Sequence, residues 1–180
     1  MIELLVSISI IVLVLTITLT RQSAFNSAVL LRSEAFDMAL AIREIQLSAV
    51  SAASDGSGEF RSTLGVRITA DSNEYVLFRD VNGNNAYDLG SSEDYGSRAI
   101  IDPRFEIGLV DVGGDVGEIT VLFERPNFDA LFYDSARNLV DEPAARIQLR
   151  LKDTAAGDCG DQWRIIEITS AGQIAVENCP

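Results

Sequence analysis

The sequence predicts an α+β protein in which one long N-terminal helix leads into an antiparallel, β-rich head. Three observations predict it. An uncharged apolar run from Leu4 to Thr20 opens the chain. A helical pattern free of Pro and Gly continues from Arg21 to about Ala53. Beyond Gly58 the apolar period shortens to two. The divisions that follow are 1–20, the apolar half of the helix; 21–53, its amphipathic half; and 54–180, the head.

The first run reads Leu4-Leu5-Val6-Ser7-Ile8-Ser9-Ile10-Ile11-Val12-Leu13-Val14-Leu15-Thr16-Ile17-Thr18-Leu19-Thr20. It covers about 17 residues, or roughly 25 Å as a helix, near the lower limit for crossing a bilayer. Its Ser and Thr hydroxyls can bond back to helix carbonyls. A signal peptide would carry a basic segment before the run and a small-residue cleavage site after it. Here Glu3 precedes the run instead. A plain anchor accounts for the apolar character but not for that acid. A carboxylate is tolerated near a helix N-terminus; inside an apolar assembly it needs a cationic partner.

In the second half, Ala35, Met38, Ala39, Ile42, Ile45 and Ala49 share one face. Phe36, Leu40, Leu47 and Val50 form an adjoining stripe, expected to widen the core-facing arc. Glu34, Asp37, Arg43 and Glu44 take the remaining surface. Ser54-Asp55-Gly56-Ser57-Gly58 ends the helix with turn chemistry. Strands are expected around Leu64-Val66-Ile68, Glu74 to Arg79, Phe105-Ile107-Leu109, Ile119-Val121-Phe123 and Ile147-Leu149-Leu151. Trp163 to Thr169 and Gln173 to Glu177 flank Ser170-Ala171-Gly172 as a closing hairpin.

Composition removes whole classes of function. There is no His, so Ser-His and Cys-His nucleophile systems are excluded. No Gly-x-Ser-x-Gly elbow or phosphate loop is present, and a non-catalytic protein is expected, with no cofactor required. The formal charge is −13. Lys152 is the only Lys, and the Arg residues are scattered, which argues against nucleic acid as a partner.

The string Ile2-Glu3-Leu4-Leu5-Val6, followed by an apolar helix, resembles the N-terminus of type IV pilins and type II secretion pseudopilins. The head adds a second likeness. Val76-Leu77-Phe78-Arg79-Asp80-Val81-Asn82-Gly83-Asn84, then Asp88, Glu93 and Asp94, is similar to a loop of H-type minor pseudopilins and T-type minor pilins, as is the run from Arg164-Ile165-Ile166 to Ala171-Gly172-Gln173-Ile174. The resemblance implies a pilin-like fold, with a helix half transmembrane and half packed on a head sheet. It implies a single-pass protein of the bacterial inner membrane with its head outside the cytoplasm, in a cell-surface filament or periplasmic pseudopilus. It implies other pilins or pseudopilins as partners and a prepilin peptidase acting on the precursor. Glu3 would pair with the N-terminal amine of a neighbouring subunit. Met1 departs from the pattern, standing where an aliphatic residue precedes Ile, without the leading Phe-Thr; a start inside a longer precursor is the expectation. Some T-type minor pilins bind DNA, so a pilus-borne receptor for DNA or for adhesion is the alternative function.

Two further features have two readings each. Asp80, Asn82, Asn84, the Ala86 carbonyl and Asp88 are spaced as oxygen ligands for Ca²⁺, and the start follows the D-x-[DN]-x-[DN]-G pattern of EF-hands. Asn85 stands where the Gly belongs and Ser91 where the bidentate acid belongs, with Glu93 and Asp94 beyond. The other reading is an Asn-Gly-rich turn that needs no metal. Cys159 and Cys179 read as a disulfide if the head is exported and as unrelated thiols if it is not. A bridge would close a loop of about 20 residues and contribute around 3 kcal/mol. It would also match the C-terminal disulfide of many pilins.

Overall fold

The computed structural model describes residues 2–51, 63–90, 92–96, 99–124, 127–152 and 163–178, and of 18–25 the backbone alone. The helix α1 spans Ile2–Val50. As expected, hydroxyls return to carbonyls one turn back: Ser7 Oγ donates to Glu3 O at 2.8 Å and Thr16 Oγ1 to Val12 O at 2.8 Å. The last turn closes with Ser51 N donating to Leu47 O at 2.9 Å. The turn expected at Ser54–Gly58 lies outside the described residues.

Ten strands follow: β1 Thr63–Thr69, β2 Glu74–Asp80, β3 Ala99–Ile100, β4 Phe105–Asp111, β5 Glu118–Phe123, β6 Ala130–Asp134, β7 Leu139–Val140, β8 Ala144–Leu151, β9 Trp163–Thr169 and β10 Ile174–Asn178. They form two antiparallel sheets, ordered β3-β2-β1-β5-β6-β7 and β10-β9-β8-β4. Each strand read from period-two alternation is present. The three unread ones have physical reasons. β3 and β7 are two residues long, too short for a period. In β6 the inward Ala130 and Phe132 alternate with Leu131 and Tyr133, which pack on the opposite face, so polarity does not alternate.

Two expectations are corrected here. The pilin-like fold, a half-transmembrane helix over one head sheet, is not what forms: the strands divide between two sheets, because β4 leaves the first sheet to pair with β8. The single-pass inner-membrane placement is also overturned. Among the described residues no helix is long and apolar enough to cross a membrane. The physical reason is length and dilution. The uncharged run from Leu4 to Thr20 is diluted by Ser7, Ser9, Thr16, Thr18 and Thr20, against the roughly 20 predominantly apolar residues a bilayer demands.

One apolar core joins α1 to both sheets. Ala35, Met38, Ile42, Ile45 and Ala49 face Val66, Ile68 and Val121 of the first sheet and Ile147, Ile166 and Ile168 of the second, all buried. The second stripe of α1 does not join them, contrary to expectation. Phe36, Leu40 and Leu47 are 43%, 59% and 53% exposed. A helix resting in the seam between two sheets is covered along one line of contact, and this stripe lies outside that line.

A second, smaller cluster sits on the opposite face of the first sheet. Phe78, Tyr87 and Leu122 are buried there, with Val76, Leu131 and Tyr133 beside them. Gly65 makes room for it: a Cβ at that position would meet Leu122 Cδ2 at 2.5 Å and Val121 O at 2.7 Å.

Candidate functional site

Two features were singled out by sequence, and the structure sets them apart. The first is the N-terminal half of α1. Every large apolar side chain from Ile2 to Ile17 is between 49% and 77% exposed. Glu3 stands in the first turn, the place where the helix dipole favours a negative charge. Each of these apolar side chains would gain about 1.5–3 kcal/mol from full burial.

The second is the loop that leaves β2. Asp80 is buried and acts as its hub: Oδ1 accepts from Gly83 N at 2.7 Å and Asn84 N at 3.2 Å, and Oδ2 from Asn85 N at 2.9 Å. Asn82 Oδ1 accepts from Asn84 N at 3.0 Å, and Asn84 Oδ1 from Ala86 N at 2.9 Å. The two side-chain amides then donate to a single oxygen, Asp88 Oδ2, at 2.7 and 2.6 Å. Arg137 Nη2, from the β6–β7 turn, reaches Asp88 Oδ1 at 3.2 Å. These donors hold the Asp88 carboxyl below the usual carboxylate range, the Asn82 bond first, the Asn84 bond next, and Arg137 adding to both. Asn85 adopts φ 63°, the left-handed conformation that Asn tolerates where the motif would place Gly.

Sequence reading placed Glu93 and Asp94 vaguely beyond a cation. Each has a definite position. Glu93 is buried and ties the two ends of the loop together, Oε2 accepting from Asp88 N at 2.9 Å and Oε1 from Val81 N at 3.4 Å. Asp94 Oδ1 accepts from the Tyr87 hydroxyl at 2.7 Å. The Tyr87 ring meets Phe78 edge-on, with centroids 5.7 Å apart, so the loop is also the cover of the smaller apolar cluster.

Ca²⁺ held by Asp80, Asn82, Asn84, Ala86 and Asp88 would compete with the amide donors that Asp88 accepts in this arrangement. Calcium takes oxygen ligands. Here both amides turn N–H groups toward Asp88, and each amide oxygen accepts one backbone N–H, from Asn84 and Ala86. Binding would require both amides to rotate and both bonds to Asp88 to break. Among the described residues no three His, Cys, Asp or Glu side chains are grouped to hold a metal. Cys159 and Cys179 lie outside the described residues.

One polar residue escaped sequence reading. Gln46 is buried on α1, one helical turn after Ile42, and its Nε2 donates to Phe128 O at 2.9 Å and to Gly172 O at 2.7 Å. The signal was available: a lone amide at an angular position otherwise held by Ala35, Ala39 and Ile42 must find buried acceptors. Arg43 Nη2 adds a bond to Ile174 O at 2.8 Å. The close approach at Gly172 excludes any side chain there, since a Cβ would overlap Phe128 O, and its φ of 80° independently favours Gly.

No family model, no curated protein and no solved structure matches this chain.

Proposed function

We propose that the chain is a structural subunit of the minor pilin or pseudopilin kind, polymerising through its N-terminal half-helix. The observation that carries the reading is the exposure of every large apolar side chain from Ile2 to Ile17 beside a single acid, Glu3. An exposed surface of that size marks an interaction site rather than a solvated one. Packing among copies of the same helix covers it, and a carboxylate drawn into such a bundle requires the positive end of a neighbour. The type IV and type II secretion machines have subunits with this start, Ile-Glu-Leu-Leu-Val, and the resemblance supports placing this chain among them. The head is then what each copy displays.

The deciding experiment replaces Glu3 by Ala in the full chain and follows incorporation into polymer. Loss of at least about tenfold is expected, since an unpaired buried partner charge costs several kcal/mol. Undiminished incorporation rejects the reading. The alternative, a DNA receptor, predicts a mobility shift with duplex DNA at low salt. The scattered Arg residues and the charge of −13 argue for none.

A further inference from the structure

The outer face of the first sheet is covered at one end and open at the other. Strand alternation and register place Arg67 and Thr69 of β1, Glu74, Val76 and Phe78 of β2, and Glu118 and Leu122 of β5 on that face. The loop after β2 closes over Phe78 and Leu122 through Tyr87. Beside it a cavity of about 240 Å³ lies between loop and strands, with Arg67, Thr69, Glu74, Val76, Tyr87 and Leu89 in its lining. Tyr87 is buried and Leu89 is 73% exposed, so the first belongs to the floor and the second to the rim. The polar lining is already organised. Arg67 Nη2 donates to Glu118 Oε2 at 2.6 Å, and Thr69 Oγ1 donates to the same oxygen at 3.3 Å. Ser72 Oγ accepts from Glu74 N at 3.1 Å, which fixes the start of β2 and the place of the exposed Glu74.

We infer that this cavity binds one uncharged sugar ring, with Arg67 and Glu74 reading its hydroxyls. The inference is independent of the assembly reading and concerns what the head holds. An anion such as phosphate would have to compete with Glu118 for Arg67, in a chain of charge −13. A cation drawn to Glu74 would stand near the Arg67 guanidinium on the neighbouring strand. A purely apolar group would take water from Arg67, Thr69 and Glu74 and return no hydrogen bond. A sugar hydroxyl is donor and acceptor at once. One ring therefore accepts from the Arg67 N–H groups that do not face Glu118 and donates to the Glu74 carboxylate. Its C–H face then lies on Val76, Tyr87 and Leu89. The volume is below the roughly 300 Å³ at which pockets for drug-sized ligands begin, so it holds a single ring rather than a chain.

The test uses the full chain in a detergent without a sugar headgroup and follows the methyl resonances of Val76 and Leu89 by NMR. The probes are the methyl pyranosides of glucose, galactose, mannose and N-acetylglucosamine, with inorganic phosphate and methylguanidinium as the anionic and cationic comparisons. At least one pyranoside is expected to shift both sets of methyls at millimolar concentration, and neither ion to do so. Glu74→Gln is expected to weaken that binding about tenfold, the scale of one charge-assisted hydrogen bond. Leu89→Ala is expected to weaken it about threefold, the scale of partly burying one aliphatic side chain. Both side chains are exposed, so unchanged thermal melts confirm that the head remains folded. A panel in which no pyranoside shifts either residue overturns the inference. Tighter binding of either ion does so as well, as does pyranoside binding that both substitutions leave unchanged. Each of these outcomes leaves the assembly reading standing.

Discussion

Residues 2–17 and 26–50 belong to one helix and use their apolar side chains in opposite ways. In the second stretch Ala35, Met38, Ile42, Ile45 and Ala49 repeat at helical spacing and disappear between two sheets. In the first, apolar residues occupy nearly every position around the axis, and all remain exposed. Periodicity therefore tells of a single partner on one side. Apolar character all round tells of partners on every side, which a single head cannot provide. The second stretch serves folding, and on the proposed reading the first serves association; each can be broken separately.

The largest effect is expected at the buried stretch. Ile42→Ala should cost about 3 kcal/mol in denaturant unfolding of the full chain, from lost burial and the cavity left behind. Leu13→Ala, on an exposed position, should change the head's stability by less than about 0.5 kcal/mol. Equal effects at the two sites would erase the distinction between the halves.

Next in size is Gln46→Leu. It leaves the carbonyls of Phe128 and Gly172 without their buried donor, and a loss of about 2 kcal/mol is expected in the same unfolding measurement. A neutral result would mean that the helix is held by apolar packing alone.

A smaller, pH-dependent term sharpens the picture. Tyr75 is buried under α1, and its hydroxyl is pushed up to about 12 by burial first, with Asp37 and Glu34 of the helix adding to it. The folded state keeps this proton longer than the unfolded chain does, so the contribution is fully present below pH 10. It is lost as pH rises from about 10 to about 12. Tyr75→Phe should flatten that part of the stability profile. An unchanged slope would place the ionisation elsewhere.

The smallest effect is expected at the loop. Because Asn82 and Asn84 already supply the donors to Asp88, millimolar calcium should move the melting temperature by less than about 1 °C. A clear upward shift would show that the amides rotate to make way for a cation.

Much of this was legible in the sequence, for reasons that separate local from distant effects. The inner face of α1 and the β9–β10 hairpin follow from periodicity and from Ser170-Ala171-Gly172, which are local. The partition into two sheets depends on β4 choosing β8 over its sequence neighbours, a long-range pairing that alternation does not encode. The stripe at Phe36, Leu40 and Leu47 has the spacing of a core face yet stays exposed, because apolar spacing does not reveal how wide a groove the sheets leave open. In the loop, the ligand-like spacing of Asp80, Asn82, Asn84 and Asp88 was visible. Which end of each amide faces inward was not, because it depends on backbone N–H groups several residues away.

The grip of Gln46 and Arg43 has a mechanical consequence. Two neighbouring helix side chains hold the carbonyls of Phe128, Gly172 and Ile174, so tension applied along α1 enters the head both at the loop ahead of β6 and at the closing hairpin. From the hairpin it spreads through β9 into β8 and β4, strand by strand. Pulling on the helix therefore loads both sheets at once, the first through the loop ahead of β6 and the second through the closing hairpin.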